Sequence, residues 1–494
     1  MDHSRRPRSS SPDIGCGRCA RSTKPSSGSS GHPTTAGPSR FVRLSSSRAC
    51  EGARVIGPRN RDTAAGPGRR QTDAIGVHRA IEAIWRIESA RLIAGLARVV
   101  GDIGTAEELA QDALVAALEQ WPTEGVPERA GAWLMGTAKH RAFDLIRRRK
   151  TLDHKHEEIG RSVERAQESV DLDAAIDEEV GDDLLGLIFM ACHPVLSKDA
   201  RVALTLRVLG GLTTEEIARA FLVPVSTISQ RIVRAKRTLA EAHVRFEVPG
   251  GAERIARLSS VLEVIYLIFN EGYSATAGHD WIRPALCEEA LRLGRILAEL
   301  APAEPEIHGV VALMEIQASR LVARVGPSGE PVLLLDQDRA RWDRLLIRRG
   351  LKALERAERL GGALGPYALQ AAIAACHARA TTASETDWPR IVALYDAVAQ
   401  LAPSPIVELN RAVAVGMAFG PAAGLELVDA LVAEPSLKSY HLLPAVRGDL
   451  LRKLGRSEEA GDEFERAASL TENVRERELL ERRAAECAAQ GTAG

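Results

Sequence analysis

Apolar positions in this chain recur at helical spacing, and the clearest set lies near its middle. Ile228, Ile232, Ala235 and Leu239 fall on one helical face. The other faces carry Thr227, Gln230, Arg231, Arg234 and Arg237, with Lys236 at the flank and no acid. Upstream, Thr213 and Glu216 have capping-box spacing, so a first helix starts there. Pro224 disfavours a helical conformation at the residue before it, so the pattern breaks over 221–224. Ser226 or Thr227 then reads as the cap of a second helix, with Gln230 placed to complete a box. A short helix, a tight turn and a cationic second helix make the helix-turn-helix plan. An ordinary helical hairpin with a solvated basic face is the blander reading.

A second amphipathic set precedes it. "HRAIEAIWRIESARLIAGLARVV" (78–100) predicts a long helix whose charges exclude a membrane span. Thr105 and Glu108 have the capping-box spacing that opens "AEELAQDALVAALEQW" (106–121). Its inner face uses Leu109, Ala113, Ala116 or Ala117, and Leu118; its outer face shows Glu107, Glu108, Gln111 and Asp112. After a loop at 122–131, "AWLMGTAKHRAFDLIRRRK" predicts a third helix with Leu134, Ala138, Ala142 and Leu145 inward. Lys139, His140, Arg141 and the run Arg147, Arg148, Arg149 and Lys150 make its remainder cationic. A helix dipole accounts for one or two terminal cations, not four in a row. Such a run points to phosphates.

Residues 151–181 switch to acidic text of low apolar content, read as a flexible tether. Helices from Leu184 and Lys198 lead back to the helix-turn-helix, giving a unit over 182–242. Cys192 and His193 sit in an apolar helix end and read as packed. Beyond it, 251–490 is helical throughout, with helix pairs near 366–402, 405–433 and 438–471. Tyr395, Val428 and Phe464 recur at roughly the spacing of a 34-residue repeat. In the last pair, Gly448, Leu451, Ala460, Phe464 and Ala467 fit the small–large pattern of a tetratricopeptide repeat.

Composition changes little in this picture. Aromatics are 4% of the chain and β-branched runs are scarce, which favours an all-α fold. Net charge is -1, so local distribution rather than global charge speaks about polyanionic partners. The seven cysteines are odd in number and scattered, which argues against a disulfide framework and fits a reducing cytoplasm. Residues 1–74 are rich in Ser, Pro, Gly and Arg and are expected to be disordered. They read either as a weak nucleic-acid tail or as text upstream of a true start near Val77. The lone CxxC of Cys16 and Cys19 and the "HKHEE" run (154–158) lack further ligand groups, so no metal and no cofactor is expected.

Two basic helical units joined by an acidic tether, the second ending in a helix-turn-helix, resemble a bacterial sigma factor of the extracytoplasmic-function class. "AEELAQDALVAALEQW" resembles the region-two helix that docks on polymerase, and "GAWLMGTAKHRAFDLIRRRK" the segment that melts and reads the -10 element. "LTTEEIARAFLVPVSTISQRIVRAKRTL" resembles region four, the -35 reader. The resemblance implies core RNA polymerase and promoter DNA as partners, no membrane, and a cytoplasmic, nucleoid-associated protein. It implies polymerase contacts at Glu107, Glu108, Gln111 and Asp112. DNA contacts fall at Ser226, Thr227, Gln230, Arg231 and Arg234, and at Lys139, His140, Arg141, Arg147, Arg148 and Arg149.

"VIYLIFNEGYSAT" (264–276), "DQDRARWD" (336–343), "GPYALQAAIAACHA" (365–378) and "ELNRAVAV" (408–415) resemble the group with a C-terminal tetratricopeptide-like extension. The expected architecture is therefore all-α: two small DNA-binding units plus an α-solenoid-like domain. Asp336, Asp338, Arg339, Arg341, Trp342 and Asp343 are the densest polar set of the extension. They read as a capped helix start or as an intramolecular contact with a sigma domain. No nucleophile, base and orienting group assemble by spacing, so no enzyme is expected. The competing function is a helix-turn-helix regulator with a helical sensor that never joins polymerase.

Overall fold

The computed structural model describes the backbone of residues 67–157 and 180–491, with side chains over 76–148 and 182–490. The N-terminal segment, its CxxC and most of the acidic tether lie outside the described residues. The first unit holds α1 (Pro67–Val100), α2 (Ile103–Glu124) and α3 (Ala130–Glu157). The second holds α4 (Val180–Ala191), α5 (Lys198–Val208), α6 (Thr214–Phe221) and α7 (Val225–Glu241). The extension begins with α8 (Gly251–Tyr273), α9 (Pro284–Leu300), α10 (Pro305–Ala318) and α11 (Arg344–Arg359).

Helix pairs follow: α12 (Pro366–Arg379) with α13 (Trp388–Leu401), then α14 (Pro405–Phe419) with α15 (Pro421–Leu431). The last pair is α16 (Leu442–Lys453) with α17 (Ser457–Leu470), and α18 (Val474–Gly491) covers it. These bounds match the pairs expected from the sequence. Two short strands, β1 (Ala277–Gly278) and β2 (Glu472–Asn473), pair in parallel. They tie the loop after α8 to the far end of the extension, and Asn473 strengthens the tie by donating to the Ala275 and Asp280 carbonyls.

Several boundaries moved for identifiable reasons. Gly101, at φ 71°, turns the chain out of α1. Asp102 then caps α2 by accepting from the Thr105 amide at 2.7 Å, so Asp102 and not Thr105 is the cap. The Thr213–Glu216 box is present as expected. Pro224 itself is the N-cap of α7, which leaves Ser226 and Thr227 inside the first turn. Proline suits this position because its φ is already set, although it offers the first amides of α7 no side-chain acceptor. α3 continues to Glu157, so the tether's first residues are helical. Leu118 is exposed rather than inward, whereas both Ala116 and Ala117 are buried.

The units do not have separate cores. One apolar cluster runs without interruption from Ile81 in α1, through α4–α7, to Ala378 in α12. Within it α8 packs on α4 and α5. Two smaller clusters fill the later pairs. In the last pair the repeat-like residues do what their sizes imply. Gly448 leaves room for the Phe464 ring, which a Cβ would meet at 2.9 Å.

Candidate nucleic-acid interface

α7 is amphipathic as expected: Ile228, Ile232, Ala235 and Leu239 are buried. Ser226, Gln230 and Arg234 point to solvent, and neither Gln230 nor Arg234 has a partner among the described residues. Thr227 and Arg231 are half-buried, and Arg231 reaches Asp199 at 3.3 Å. Arg237 is held by Glu241 at 2.6 Å. The turn into α7 is closed by Leu222, a non-glycine residue in the left-handed region at φ 50°.

On α3, His140, Arg147 and Arg148 are exposed and Lys139 is half-buried. Arg141 pairs with Asp112 at 3.3 Å, so one expected DNA contact and one expected polymerase contact hold each other. The Arg149 side chain lies outside the described residues.

The four acidic-face residues of α2 are divided. Glu108 and Asp112 are exposed and Gln111 is half-buried. Glu107, expected on the outer face, is only 4% exposed. Its carboxylate takes Arg207 Nε at 2.7 Å, Lys236 Nζ at 2.5 Å and Gln111 Nε2 at 2.7 Å. Arg207 lies on α5 and Lys236 on α7, so the second unit closes over the first at this point. Burial pushes the Glu107 carboxyl up, but the Lys236 and Arg207 cations outweigh it and hold it below the usual carboxylate range. A more exposed bridge, Arg86 to Glu216 at 3.1 Å, joins the same two units. Neither cationic partner of Glu107 is legible locally: α2 shows an acid among acids, and only tertiary packing supplies Arg207 and Lys236.

The extension grips the second unit from its other side. Arg283 donates to the Ala220 carbonyl at 2.5 Å, at the end of α6, and to the Ala277 carbonyl at 2.8 Å; it also pairs with Glu271. Arg292 donates to the Leu209 carbonyl at 2.5 Å, at the end of α5. Arg201 pairs with Glu263 at 3.1 Å and bonds Ser260. Gly278, at φ 95°, lies so close to Leu222 that a Cβ there would collide with it.

The "DQDRARWD" residues make their contacts inside the extension. Asp338 accepts from the Ala340 amide at 2.9 Å, and Asp343 caps α11 through the Leu345 and Leu346 amides at 2.8 and 3.0 Å. Arg339 donates to the His377 and Ala380 carbonyls at 2.6 and 2.8 Å, at the end of α12. Arg341 donates to the Val322 carbonyl at 2.8 Å. Trp342 is buried with Arg339 5.0 Å above its ring, and Asp336 is exposed. Cys192 is packed, its sulfur 3.4 Å from the Thr205 hydroxyl, and burial pushes the thiol up to about 11. Among the described residues no helix is long and apolar enough to cross a membrane.

Residues 87–151 match the sigma-70 region 2 family and residues 186–239 the sigma-70 region 4 family. Residues 257–358 match a family of unknown function, DUF6596. An uncharacterized protein from Rhizobium meliloti (strain 1021) is 43% identical over 384 residues, covering 77% of this chain and 89% of its own. Probable ECF RNA polymerase sigma factor SigI from Mycobacterium tuberculosis is 27% identical over 178 residues, which are 36% of this chain and 60% of that one. The crystal structure of yeast Tom70 superposes at a TM-score of 0.28 with 10% identity over 86% of each chain, a score that does not establish a shared fold.

Proposed function

Because the chain belongs to the extracytoplasmic-function type of sigma factors and carries a C-terminal helical extension, we propose that it joins core RNA polymerase and directs initiation under that extension's control. Region two, α1–α3, reads the -10 element and region four, α4–α7, the -35 element. The protein is a non-enzymatic subunit acting in the bacterial cytoplasm, on the nucleoid. The observation that carries the reading is the exposed polar face of α7, with Ser226, Gln230 and Arg234 turned to solvent over a buried apolar stripe.

That face is suited to the major groove. Gln230 and Arg234 are one helical turn apart, so both side chains reach the same stretch of base edges. A bidentate arginine-to-guanine contact discriminates by about 1–3 kcal/mol. On α3, Lys139, His140, Arg147 and Arg148 follow the backbone of the opened strand by charge. The loop before α3 receives a base flipped from that strand. Extruding it costs a few kcal/mol, which polymerase binding offsets. Glu108, Gln111 and Asp112 meet a basic surface of polymerase, and Glu107 joins them once region four has moved.

That movement is required by distance. Positions -35 and -10 are about 25 base pairs apart, or about 85 Å of B-DNA at about 3.4 Å per pair. A chain in which Lys236 of region four touches Glu107 of region two does not bridge that span. The free chain is therefore closed, and the grip of Arg283 and Arg292 on the ends of α6 and α5 supports the extension as what keeps region four back.

Run-off transcription with core polymerase on a promoter library tests the role. Promoter-specific transcripts dependent on the chain are expected, and their absence would return the protein to a polymerase-independent regulator. The control step is tested by Arg283→Ala with Arg292→Ala, which should raise output at limiting sigma concentration. Unchanged output would remove the extension from control.

A further inference from the structure

We infer that α11 of the extension is a second, sequence-independent surface for duplex DNA, which grips phosphates outside the -35 and -10 elements. Arg344, Arg348, Lys352 and Arg356 follow one another at i, i+4 spacing, flanked by Arg349 and Arg359, and all six are exposed. Against them the helix sets only Glu355 and Glu358, and none of the six cations has a carboxylate within 4 Å among the described residues. Other extension arginines are paired, Arg411 with Asp396 at 2.6 Å, Arg447 with Asp429 at 2.7 Å and Arg456 with Glu459 at 2.6 Å, and those exposed without an ion pair among the described residues, such as Arg379, Arg390 and Arg482, are scattered rather than gathered on one helix. The opposite face, Ile347, Gly350, Leu354 and Ala357, is buried.

Folding does not explain this pattern. Like charges at i, i+4 destabilise a helix by about 0.2–0.5 kcal/mol a pair, and three such pairs run along the stripe. The dipole welcomes cations in the last turn, which accounts for Arg356 and Arg359. It opposes Arg344 in the first turn. The chain as a whole is near neutral, so the stripe is a local excess. Charge arranged at a cost, with no carboxylate within 4 Å among the described residues to balance it, fits an external polyanion.

The platform beneath is rigid. Asp343 caps the helix, and Gly350 lets it lie on α10 so closely that a Cβ would meet the Ala312 carbonyl at 3.1 Å. The "DQDRARWD" stretch thus builds and fixes the start of this helix. The 16 residues of α11 span about 22 Å, the length of about six base pairs, with the cations in a row inclined to the helix axis. Duplex DNA is favoured over an acidic protein because region four already brings DNA to the molecule. A second contact on the same chain then forms at high effective concentration.

The inference rests on the chain working on promoter DNA, and its test separates the two. The full chain carrying Arg344→Ala, Arg348→Ala, Lys352→Ala and Arg356→Ala is titrated onto a random-sequence duplex by fluorescence anisotropy across KCl concentrations. Alanine keeps the helix and removes its repulsion, so circular dichroism and melting should be unchanged or improved. Loss of about three phosphate contacts lowers the slope of log K against log [KCl] by about 3 and weakens binding roughly tenfold or more at low salt. The same loss is expected for holoenzyme on templates with extended upstream duplex.

Wild-type affinity and slope in the variant would overturn the inference. So would weaker association with core polymerase, measured without DNA, beside an unchanged DNA slope, because α11 would then face an acidic protein surface. Failure of the wild-type chain to initiate with core polymerase would instead sink the sigma-factor role, while the random-duplex titration still reports on α11.

Discussion

The proposed function gives Glu107 two exclusive arrangements. In the closed chain it is the buried acceptor of Arg207 and Lys236; in the proposed holoenzyme it faces polymerase. Glu107→Gln keeps the shape and removes the charge, and losing charge-assisted bonds of this kind costs about 1.5–3 kcal/mol. Opening between regions two and four should then be about ten- to a hundredfold more frequent, read as faster hydrogen exchange in α2 and α7. The effect has a defined pH dependence. The folded carboxyl lies below its unfolded value of about 4.3, so its stabilisation is fully present above that pH. It is lost as pH falls through the folded value. The exchange difference between wild type and Glu107→Gln should be constant from pH 7 to 5 and narrow only as pH falls through the lowered folded value. Equal exchange in wild type and Glu107→Gln at pH 7 would show that Glu107 does not hold the contact.

At the scale of elements, the loop between α8 and α9 is where the parts of the chain meet. Arg283 holds the end of α6, Gly278 sits under Leu222 of the recognition turn, and β1 pairs with β2 near the last helix. Gly278→Ala meets two obstacles, a left-handed backbone costing roughly 1–2 kcal/mol for a side chain and the collision with Leu222. It should lower the melting temperature and loosen 218–224 in hydrogen exchange. Adding Leu222→Ala relieves the collision but not the backbone term, so rescue should be partial. Full rescue, or no effect of Gly278→Ala, would mean that the loop does not brace the turn.

Local signals made much of the fold legible. Thr213 with Glu216 announced α6, the spacing Ile228, Ile232, Ala235 and Leu239 announced α7, and Gly448 with Phe464 announced the last helix pair. What they missed is non-local. Whether Glu107 is wet or buried depends on Arg207 and Lys236, 100 and 129 residues further along the chain by subtraction, and no periodicity encodes that. The caps of α2 and α7 were missed because Asp102 and Pro224 compete with nearby hydroxyls that look equally suitable.

For the whole molecule, the continuous core constrains how control by the extension is tested. Leu258, Val261, Leu262 and Ile265 of α8 belong to the cluster that also holds α4 and α5. Cutting the chain before α8 would bare region-four surface, at about 1.5–3 kcal/mol for each large apolar side chain uncovered. A truncated protein that fails would therefore say more about folding than about gating, and a more exposed contact such as that of Arg292 is the cleaner handle. The same compactness yields a distance prediction. Labels at the exposed positions 120 and 240, outside both proposed contact faces, report regions two and four, which touch in the free chain through Glu107 and Lys236. Energy transfer between them should be high for the free protein. It should collapse in the polymerase–promoter complex, where the two elements are about 85 Å apart along the DNA. Arg283→Ala with Arg292→Ala should shift the free protein part of the way toward the low-transfer state if the extension holds region four back. High transfer that survives promoter binding would show that the two regions work side by side and that no opening occurs.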